Sequence, residues 1–321
     1  MSIKRSSLTL VLILSAACTQ VTASEVSGGE MRLMYASERT RATLSIVSAR
    51  ADGSDLREHV PVAVARRGEY EPSVSPDGKF IAFTTYRYSG WKIAISDTNG
   101  RNVRRLTADP QYVYDASWSP DGAQLVYRRI VNHGGAYFRG NGDIFLINVD
   151  GTGNRNITND DTEHARNPSF APEGQSIVYD AFVGEQLFIV TVKADGSAKA
   201  RIEIGQSHAF APSWSPDGQW IAHLRQAEDE YTDLWVMRPD GSGARNLTQS
   251  RAKGYAPIGD RIQHWQYGTS WSPDGQFIAF TADYEEEGNV DIYSVKSDGG
   301  PVTRLTSTKG ADTHPHWYRA P

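Results

Sequence analysis

The sequence predicts an all-β fold, a six-bladed β-propeller closed by a C-terminal strand that completes the first blade. Two repeated turn motifs and one missing strand support this prediction. The first motif, of the form Ser-Trp-Ser-Pro-Asp-Gly, recurs five times with its prolines 44, 52, 44 and 57 residues apart. Periods of this length are typical of propeller blades that contain four strands each. The five copies are Ser73–Gly78, Ser117–Gly122, Ser169–Gly174, Ser213–Gly218 and Ser270–Gly275.

The turn motifs also give the order of the strands within a blade. Strand A ends at Pro-Asp-Gly, where proline fixes φ and glycine adopts a positive φ, so the chain reverses into strand B. A variable connection leads to strand C, which an Asp-Gly or Asn-Gly hairpin joins to strand D. The six hairpins begin at Asp52, Asn99, Asp150, Asp195, Asp240 and Asp298.

The two ends of the chain together complete one blade. The hairpin at Asp52 is preceded by strands B and C but by no strand A. The chain ends on His314–Tyr318, which matches the start of a strand A. Pairing the two ends closes the ring and leaves no free sheet edge. We therefore expect residues 31–321 to form the propeller.

Composition limits the classes of function. The 321 residues carry a formal net charge of −5, which argues against a nucleic-acid partner held by phosphate contacts. The single cysteine, Cys18, excludes a disulfide framework and a cysteine-based zinc site. We expect a monomer without a cofactor.

The first residues predict export. A basic dipeptide precedes the apolar run Leu8–Ala17, which is too short to span a bilayer. We interpret residues 1–23 as a signal peptide and residues 24–30 as a linker. Two processing routes remain open, namely cleavage after Ala23 and lipoprotein processing with lipidation of Cys18. The first route gives a periplasmic protein, and the second gives an outer-membrane lipid anchor.

The repeat resembles that of a known family. Ser270-Trp-Ser-Pro-Asp-Gly275 and Phe277-Ile-Ala-Phe280, followed by Asp298-Gly299 and Arg304-Leu-Thr306, are similar to the repeat of TolB-like β-propellers, a WD-repeat-like family. The resemblance implies a binding module of the bacterial cell envelope, because TolB meets a peptidoglycan-associated lipoprotein through the corresponding face. The chain departs from TolB in starting its propeller directly after the signal segment, so we expect a propeller alone. It also has no Gly-x-Ser-x-Gly motif of the related peptidases.

The strand order gives the ring two different faces. The two turn motifs share one face, the turn face, and the B–C and D–A connections share the other, the connection face. Connection lengths vary, with insertions at Arg129–Gly142 and Gln249–Tyr267. Variable loops on a rigid framework usually carry function, so we predict the partner-binding site there. Its candidate residues are Glu71, Tyr88, Trp91, Asp115, His164, Arg166, His208, His264, Trp265 and His314.

Alignment of the A strands places one residue of each blade at the same level of the channel. These residues are Glu71, Asp115, Asn167, Ala211, Gly268 and His314. Two interpretations of this partly polar ring remain open: a partner-binding rim, or local caps on the blade edges. His316 aligns with serines that pack between blades, and we expect it to be structural.

The predicted function is a non-catalytic binding or scaffold module that engages an envelope protein, a peptide or an oligosaccharide. The alternative is a polysaccharide lyase-like or other metal-dependent enzyme. In that case His164, His208 and His264 would meet across the channel near Asp115. Convergence of the histidines favours the enzyme, and their separation favours the binding module.

Overall fold

The computed structural model describes residues 29–40, 43–64, 67–108, 110–131, 142–159, 163–205, 207–226, 231–255, 267–285 and 289–321. Within these ranges, 24 strands form six four-stranded sheets. The predicted all-β, six-bladed propeller is therefore confirmed. No helix in the described part of the chain is long and apolar enough to cross a membrane.

Each blade contributes one strand to each of four positions, from A at the channel to D at the rim. The A strands are β24 (Asp312–Arg319), β4 (Glu69–Val74), β8 (Val113–Trp118), β12 (Glu163–Phe170), β16 (His208–Trp214) and β20 (Thr269–Trp271). The B strands are β1 (Met31–Thr40), β5 (Phe80–Thr85), β9 (Gln124–Ile130), β13 (Ser176–Val183), β17 (Ile221–Gln226) and β21 (Phe277–Ala282). The C strands are β2 (Thr43–Arg50), β6 (Lys92–Asp97), β10 (Gly142–Asn148), β14 (Gln186–Lys193), β18 (Thr232–Met237) and β22 (Asp291–Lys296). The D strands are β3 (Arg57–Val60), β7 (Arg104–Arg105), β11 (Arg155–Asn156), β15 (Ala200–Ile202), β19 (Arg245–Asn246) and β23 (Thr303–Arg304).

The last strand closes the ring as predicted. Strand β24 pairs antiparallel with β1, with Trp317 opposite Leu33 and His316 opposite Met34. The first sheet therefore has the order β24-β1-β2-β3 and joins the two ends of the chain. This pairing gives β1 the neighbour on its inner side that it would otherwise lack.

The core lies between neighbouring sheets rather than within one blade. The middle strands are buried on both faces, because each sheet packs against the blade before it and the blade after it. Their apolar runs are therefore nearly continuous, as in Ile144 and Leu146 of the third blade, which pack with Ile177 and Tyr179 of the fourth.

Tryptophans at the ends of the A strands join adjacent blades. Trp118 Nε1 donates a hydrogen bond to the carbonyl oxygen of Ser73 at 3.0 Å, and Trp271 Nε1 donates to that of Ser213 at 3.2 Å. Each bond runs from one inner strand to the inner strand of the preceding blade. Both side chains are buried and form part of the core between blades.

The turn face repeats one local solution. In the second blade, Ser75 Oγ donates to Asp77 Oδ1 at 2.7 Å and accepts from Phe80 N at 2.9 Å. Gly78 follows with a φ of 72°, a conformation that glycine adopts without a steric penalty. The same serine–aspartate hydrogen bond forms in three further blades, from Ser119, Ser215 and Ser272.

Candidate functional site

A bulge in the inner strands creates a ring of side chains around the channel. At this position five non-glycine residues adopt a left-handed backbone conformation, with φ between 49° and 57°. The register between strands A and B shifts at the same place in these blades. The ring contains Glu71, Asp115, Asn167, Ala211, Gly268 and His314, the residues that the sequence alignment puts at one level. All six line a single cavity of about 300 Å³.

The bulge directs backbone amides toward the carboxyl groups of the preceding blade. Asp115 N donates to Glu71 Oε2 at 2.7 Å, and Asn167 N donates to Asp115 Oδ2 at 3.4 Å. In the same way, Ala211 N donates to Asp180 Oδ1 at 3.1 Å. A left-handed conformation at a non-glycine residue costs about 1 kcal/mol or more. The hydrogen bonds between blades offset this strain and hold the ring in place.

Glu71 and Asp115 form a buried carboxyl pair in the ring. Burial, followed by the neighbouring charge of Asp115, raises the pKa of Glu71 well above its ordinary value of 4.5. Burial also acts to raise the pKa of Asp115, but Arg128, with Nε 3.3 Å from Oδ2, and the hydrogen bond from Glu71 outweigh it and lower that pKa. Of the two carboxyl groups, Glu71 is therefore the one that takes up a proton more readily, and Asp115 is the one held ionised beside Arg128.

Asp180 is the most heavily coordinated carboxylate near the ring. Its side chain is fully buried and accepts hydrogen bonds from Arg166 Nε at 2.9 Å and Arg166 Nη2 at 2.6 Å. It also accepts from Asn167 Nδ2 at 2.6 Å, in addition to Ala211 N. Arg166, a predicted binding residue, is thus engaged within the protein. It fixes the acceptor that joins the fourth and fifth blades.

Two histidines of the last strand line the channel cavity. His314 lies at the ring position, with Nδ1 3.0 Å from Thr313 Oγ1, and its imidazole contributes to lowering the pKa of Asp115. Loss of solvation lowers the pKa of His316 to about 4, and a hydrogen bond to the backbone of Val74 opposes this shift. The imidazole of His316 is therefore neutral at physiological pH. A half-buried, neutral imidazole agrees with the structural role expected from its alignment.

The structure does not bring the other described histidines to the channel. His164 lies opposite Phe182 in the pair of β12 and β13, and His208 Nδ1 accepts a hydrogen bond from Leu187 N at 3.3 Å. Neither side chain lines the cavity. Among the described residues, no three His, Cys, Asp or Glu side chains form a group that could hold a metal ion. The metal site considered for the alternative enzyme is therefore not assembled in this part of the chain.

The predicted aromatic contacts lie on the connection face of the second blade. Trp91 is half-buried just before β6, and its ring contacts three tyrosine rings. Tyr88 is half-buried and packs against the core cluster between the first two blades, with the Arg105 guanidinium 6.0 Å from its ring centroid. Trp91 is therefore part of an aromatic cluster, whereas Tyr88 lies at the edge of the core.

Three predicted positions fall outside the described residues. They are His264 and Trp265, in the longest connection, and Cys18, in the signal segment. Residues 132–141 and 256–266, which make up most of the two insertions, also lie outside this part of the chain.

Sequence analysis missed a second set of polar residues beside the ring. Thr84, Arg128 and Asp180 occupy the same position of strand B in three successive blades, next to the bulge of strand A. Thr84 Oγ1 donates to Glu71 Oε2 at 2.6 Å, Arg128 pairs with Asp115, and Asp180 binds Asn167. Each of the three directly follows the aromatic residue in the middle of its strand. Aligning the B strands as well as the A strands would have found them.

Comparison with known proteins agrees with this architecture. A model of the TolB beta propeller domain matches residues 57–209. An uncharacterized protein of Agrobacterium fabrum is 23% identical over 257 residues, a match that covers 77% of this chain and 80% of that protein. The Tol-Pal system protein TolB of Anaeromyxobacter dehalogenans is 30% identical over 130 residues. That match covers 40% of this chain and 26% of that TolB, so the chain spans about a quarter of the length of this relative.

Solved structures show the same fold. TolB from Acinetobacter baumannii superposes with a TM-score of 0.71 at 20% identity, covering 91% of this chain and 66% of that one. A putative TolB from Agrobacterium tumefaciens gives a TM-score of 0.64 at 19% identity, covering 90% and 98%.

The six closed blades, the central cavity and the matched domain define a six-bladed β-propeller. The repeat motif and the matched domain identify it further. Residues 57–209, just under half of the chain, match the TolB beta propeller domain, and the whole ring has the fold of the solved TolB structures, as its repeat predicts.

Proposed function

We propose that this protein is an exported binding module of the bacterial cell envelope, which engages a protein or peptide partner on its connection face. The observation that carries the proposal is the ring of bulge residues. It places a carboxyl pair and an imidazole around one cavity of about 300 Å³ on a closed, rigid framework. Groups that are already fixed lose little conformational entropy when a partner binds.

The mode of binding follows from the chemistry of the ring. The Glu71–Asp115 pair offers two carboxyl groups whose pKa values are shifted in opposite directions, and His314 adds an imidazole. Serine and proline side chains occupy much of the remaining cavity wall. Such a surface can orient a partner through hydrogen bonds, while aromatic residues on the same face provide contact area.

Export and location are part of the same proposal. Residues 1–23 have the pattern of a signal peptide, and one relative is named as a protein of the Tol-Pal system. We propose a periplasmic protein, with lipidation at Cys18 as the route to an outer-membrane anchor. Palmitate labelling of the full chain and of Cys18→Ser tests the anchor, and equal labelling of the two would exclude it.

The binding face is tested by capture from an envelope extract of the bacterium that makes the protein. The mature chain is immobilised alongside Trp91→Ala, on the connection face, and Phe80→Ala, on the turn face of the same blade. Phe80 is 44% exposed, so its removal disturbs the surface without opening the core. We expect capture of an envelope protein that is lost with Trp91→Ala and retained with Phe80→Ala. Retention by Trp91→Ala together with loss by Phe80→Ala would show that the wrong face has been chosen.

A further inference from the structure

An aromatic patch lies on the connection face where the second and third blades meet. We define the blade-2 patch as Tyr70, Tyr86, Trp91 and Tyr114 together with Arg67. The Trp91 centroid is 5.2 Å from those of Tyr70 and Tyr86, at interplanar angles of 81° and 77°. It is 6.3 Å from that of Tyr114. All four rings are half-buried, so the patch is packed from below and still reaches the surface.

The patch adjoins the ring of the channel. Tyr70 precedes Glu71 and Tyr114 precedes Asp115, so two of its four rings stand beside the carboxyl pair. Tryptophan, tyrosine and arginine are the residue types that contribute most often to the binding energy of protein interfaces. Half-buried rings held by one another also lose little freedom on binding.

Arg67 provides the patch with an available charge. Its guanidinium lies 4.5 Å from the centroid of the Tyr86 ring, and the residue is exposed. Among the described residues, no carboxylate forms a salt bridge with it. The neighbouring arginines differ, because Arg87 pairs with Glu69 at 3.0 Å and Arg128 pairs with Asp115 at 3.3 Å. A stacked guanidinium keeps its donors oriented for a carboxylate that comes from outside.

The local charge around the patch is opposite to that of the whole chain. The described basic side chains around it are Arg67, Arg87, Lys92 and Arg128. The acids beside them are Glu69 and Asp115, which are engaged in salt bridges, and Glu38, whose charge acts on Tyr70. The chain as a whole has a formal net charge of −5. A basic, aromatic patch on an acidic protein is complementary to an acidic partner.

We propose that the blade-2 patch docks an acidic polypeptide segment of the partner. A carboxylate of that segment pairs with Arg67, and an adjacent apolar side chain packs on Trp91. This inference rests on the proposed function, which it extends by naming the chemistry of the partner and the blade that receives it.

The inference is tested with a random dodecapeptide library displayed on phage and selected on the purified mature protein. We expect the selected peptides to carry Asp or Glu next to an apolar residue. Their affinity for Arg67→Glu should fall about tenfold or more, because a like charge replaces the pairing group. Arg67→Gln should give a smaller loss.

A matched control lies on the turn face. Arg238 is exposed and stacks 5.1 Å from the centroid of the Trp220 ring, so Arg238→Glu makes the same change of charge in a similar setting. The selected peptides should bind this variant as they bind the wild type. Neutral or basic selected peptides, full binding to Arg67→Glu, or the absence of any selected peptide would overturn the inference.

Capture from the envelope extract separates this inference from the proposed function. Capture that is lost with Trp91→Ala but retained with Arg67→Glu means that the face binds a partner that is not acidic. Capture that survives both substitutions means that the connection face itself was wrongly assigned.

Discussion

The two faces of this propeller are formed by the two ends of the same strands, but the residues at those ends are organised differently. On the turn face, serine and aspartate repeat one hydrogen bond of 2.6 or 2.7 Å at Ser75, Ser119 and Ser272, and a glycine with positive φ follows each time. On the connection face, the equivalent bulge position holds six different residues, with side chains that are acidic, amide, apolar, absent or imidazole.

The comparison shows that the backbone conformation at the ring position does not depend on which side chain that position carries. The bulge keeps its left-handed conformation in five blades whatever side chain it carries. The residue at this position can therefore change without changing the fold, and in three blades its amide binds a carboxyl group of the preceding blade. On the turn face, four blades hold the turn with the serine–aspartate hydrogen bond, and the fourth blade of the ring, with Ala171 and Glu173 at these positions, keeps the same backbone hydrogen bonds.

The largest difference between the faces should appear when an acid is removed from each. Asp180→Ala leaves Arg166 without its buried partner and Ala211 N without an acceptor. We expect the free energy of unfolding to fall by about 3 kcal/mol or more. Asp121→Ala removes turn hydrogen bonds from Ser119 Oγ at 2.6 Å and Ala123 N at 3.0 Å, at an exposed site. There we expect a loss of about 1 kcal/mol.

Chemical denaturation of the two variants and the wild type measures this difference. Circular dichroism before denaturation shows whether each variant keeps its strands. A loss for Asp121→Ala equal to that for Asp180→Ala would break the distinction between a buried network and a solvated turn.

The carboxyl pair should give the ring its own pH dependence. Because the pKa of Glu71 is raised in the folded state, the stability that its proton provides is present below pH 4.5 and is lost as the pH rises through the raised pKa. Glu71→Gln keeps a donor and an acceptor without titrating, so its stability relative to the wild type should increase between about pH 5 and pH 8. Glu71→Ala leaves Thr84 and Asp115 N without their acceptor, and should lose about 2 kcal/mol.

Unfolding free energies of the three proteins across this pH range test the assignment. A constant difference between Glu71→Gln and the wild type would mean that Glu71 is already ionised in the folded ring.

A smaller effect with the opposite direction in pH is expected at His316. Its pKa is lowered from 6.5 to about 4, so the folded state holds it neutral while the unfolded chain binds a proton below pH 6.5. Stability is therefore lost as the pH falls, by about 2 kcal/mol at pH 5. His316→Ser introduces the residue that the other blades have and should remove this loss. The measurement is the difference in unfolding free energy between about pH 7.5 and pH 5 for each protein. An equal difference in both would place the acid sensitivity at other groups.

The sequence predicted the features that repeat. Prolines and glycines mark the turns because only their backbone preferences fit there, so the blades could be counted and the closing strand at His314–Tyr318 assigned. Alignment of the A strands also brought Glu71, Asp115 and His314 to one level, as the structure shows. These results depend on local backbone chemistry, which the sequence expresses directly.

The features that depend on packing between blades could not be predicted from the sequence in the same way. Side chains alternate in direction along a strand, and the bulge shifts this alternation. His164 and His208 therefore lie away from the cavity, although they are close in sequence to residues that line it. Similarly, Asp180 belongs to strand B, where it accepts a hydrogen bond from Asn167 of strand A. The aromatic rings around Trp91 come from two blades.

The most direct test of the assigned face is photo-crosslinking from the two ends of one blade. A benzophenone amino acid replaces Tyr88 on the connection face in one protein and Phe80 on the turn face in another. Each is irradiated in the envelope extract, and cross-linked products are identified by mass spectrometry. We predict a specific partner adduct from position 88 and none from position 80. A partner that cross-links only from position 80 would contradict the assignment of the binding face.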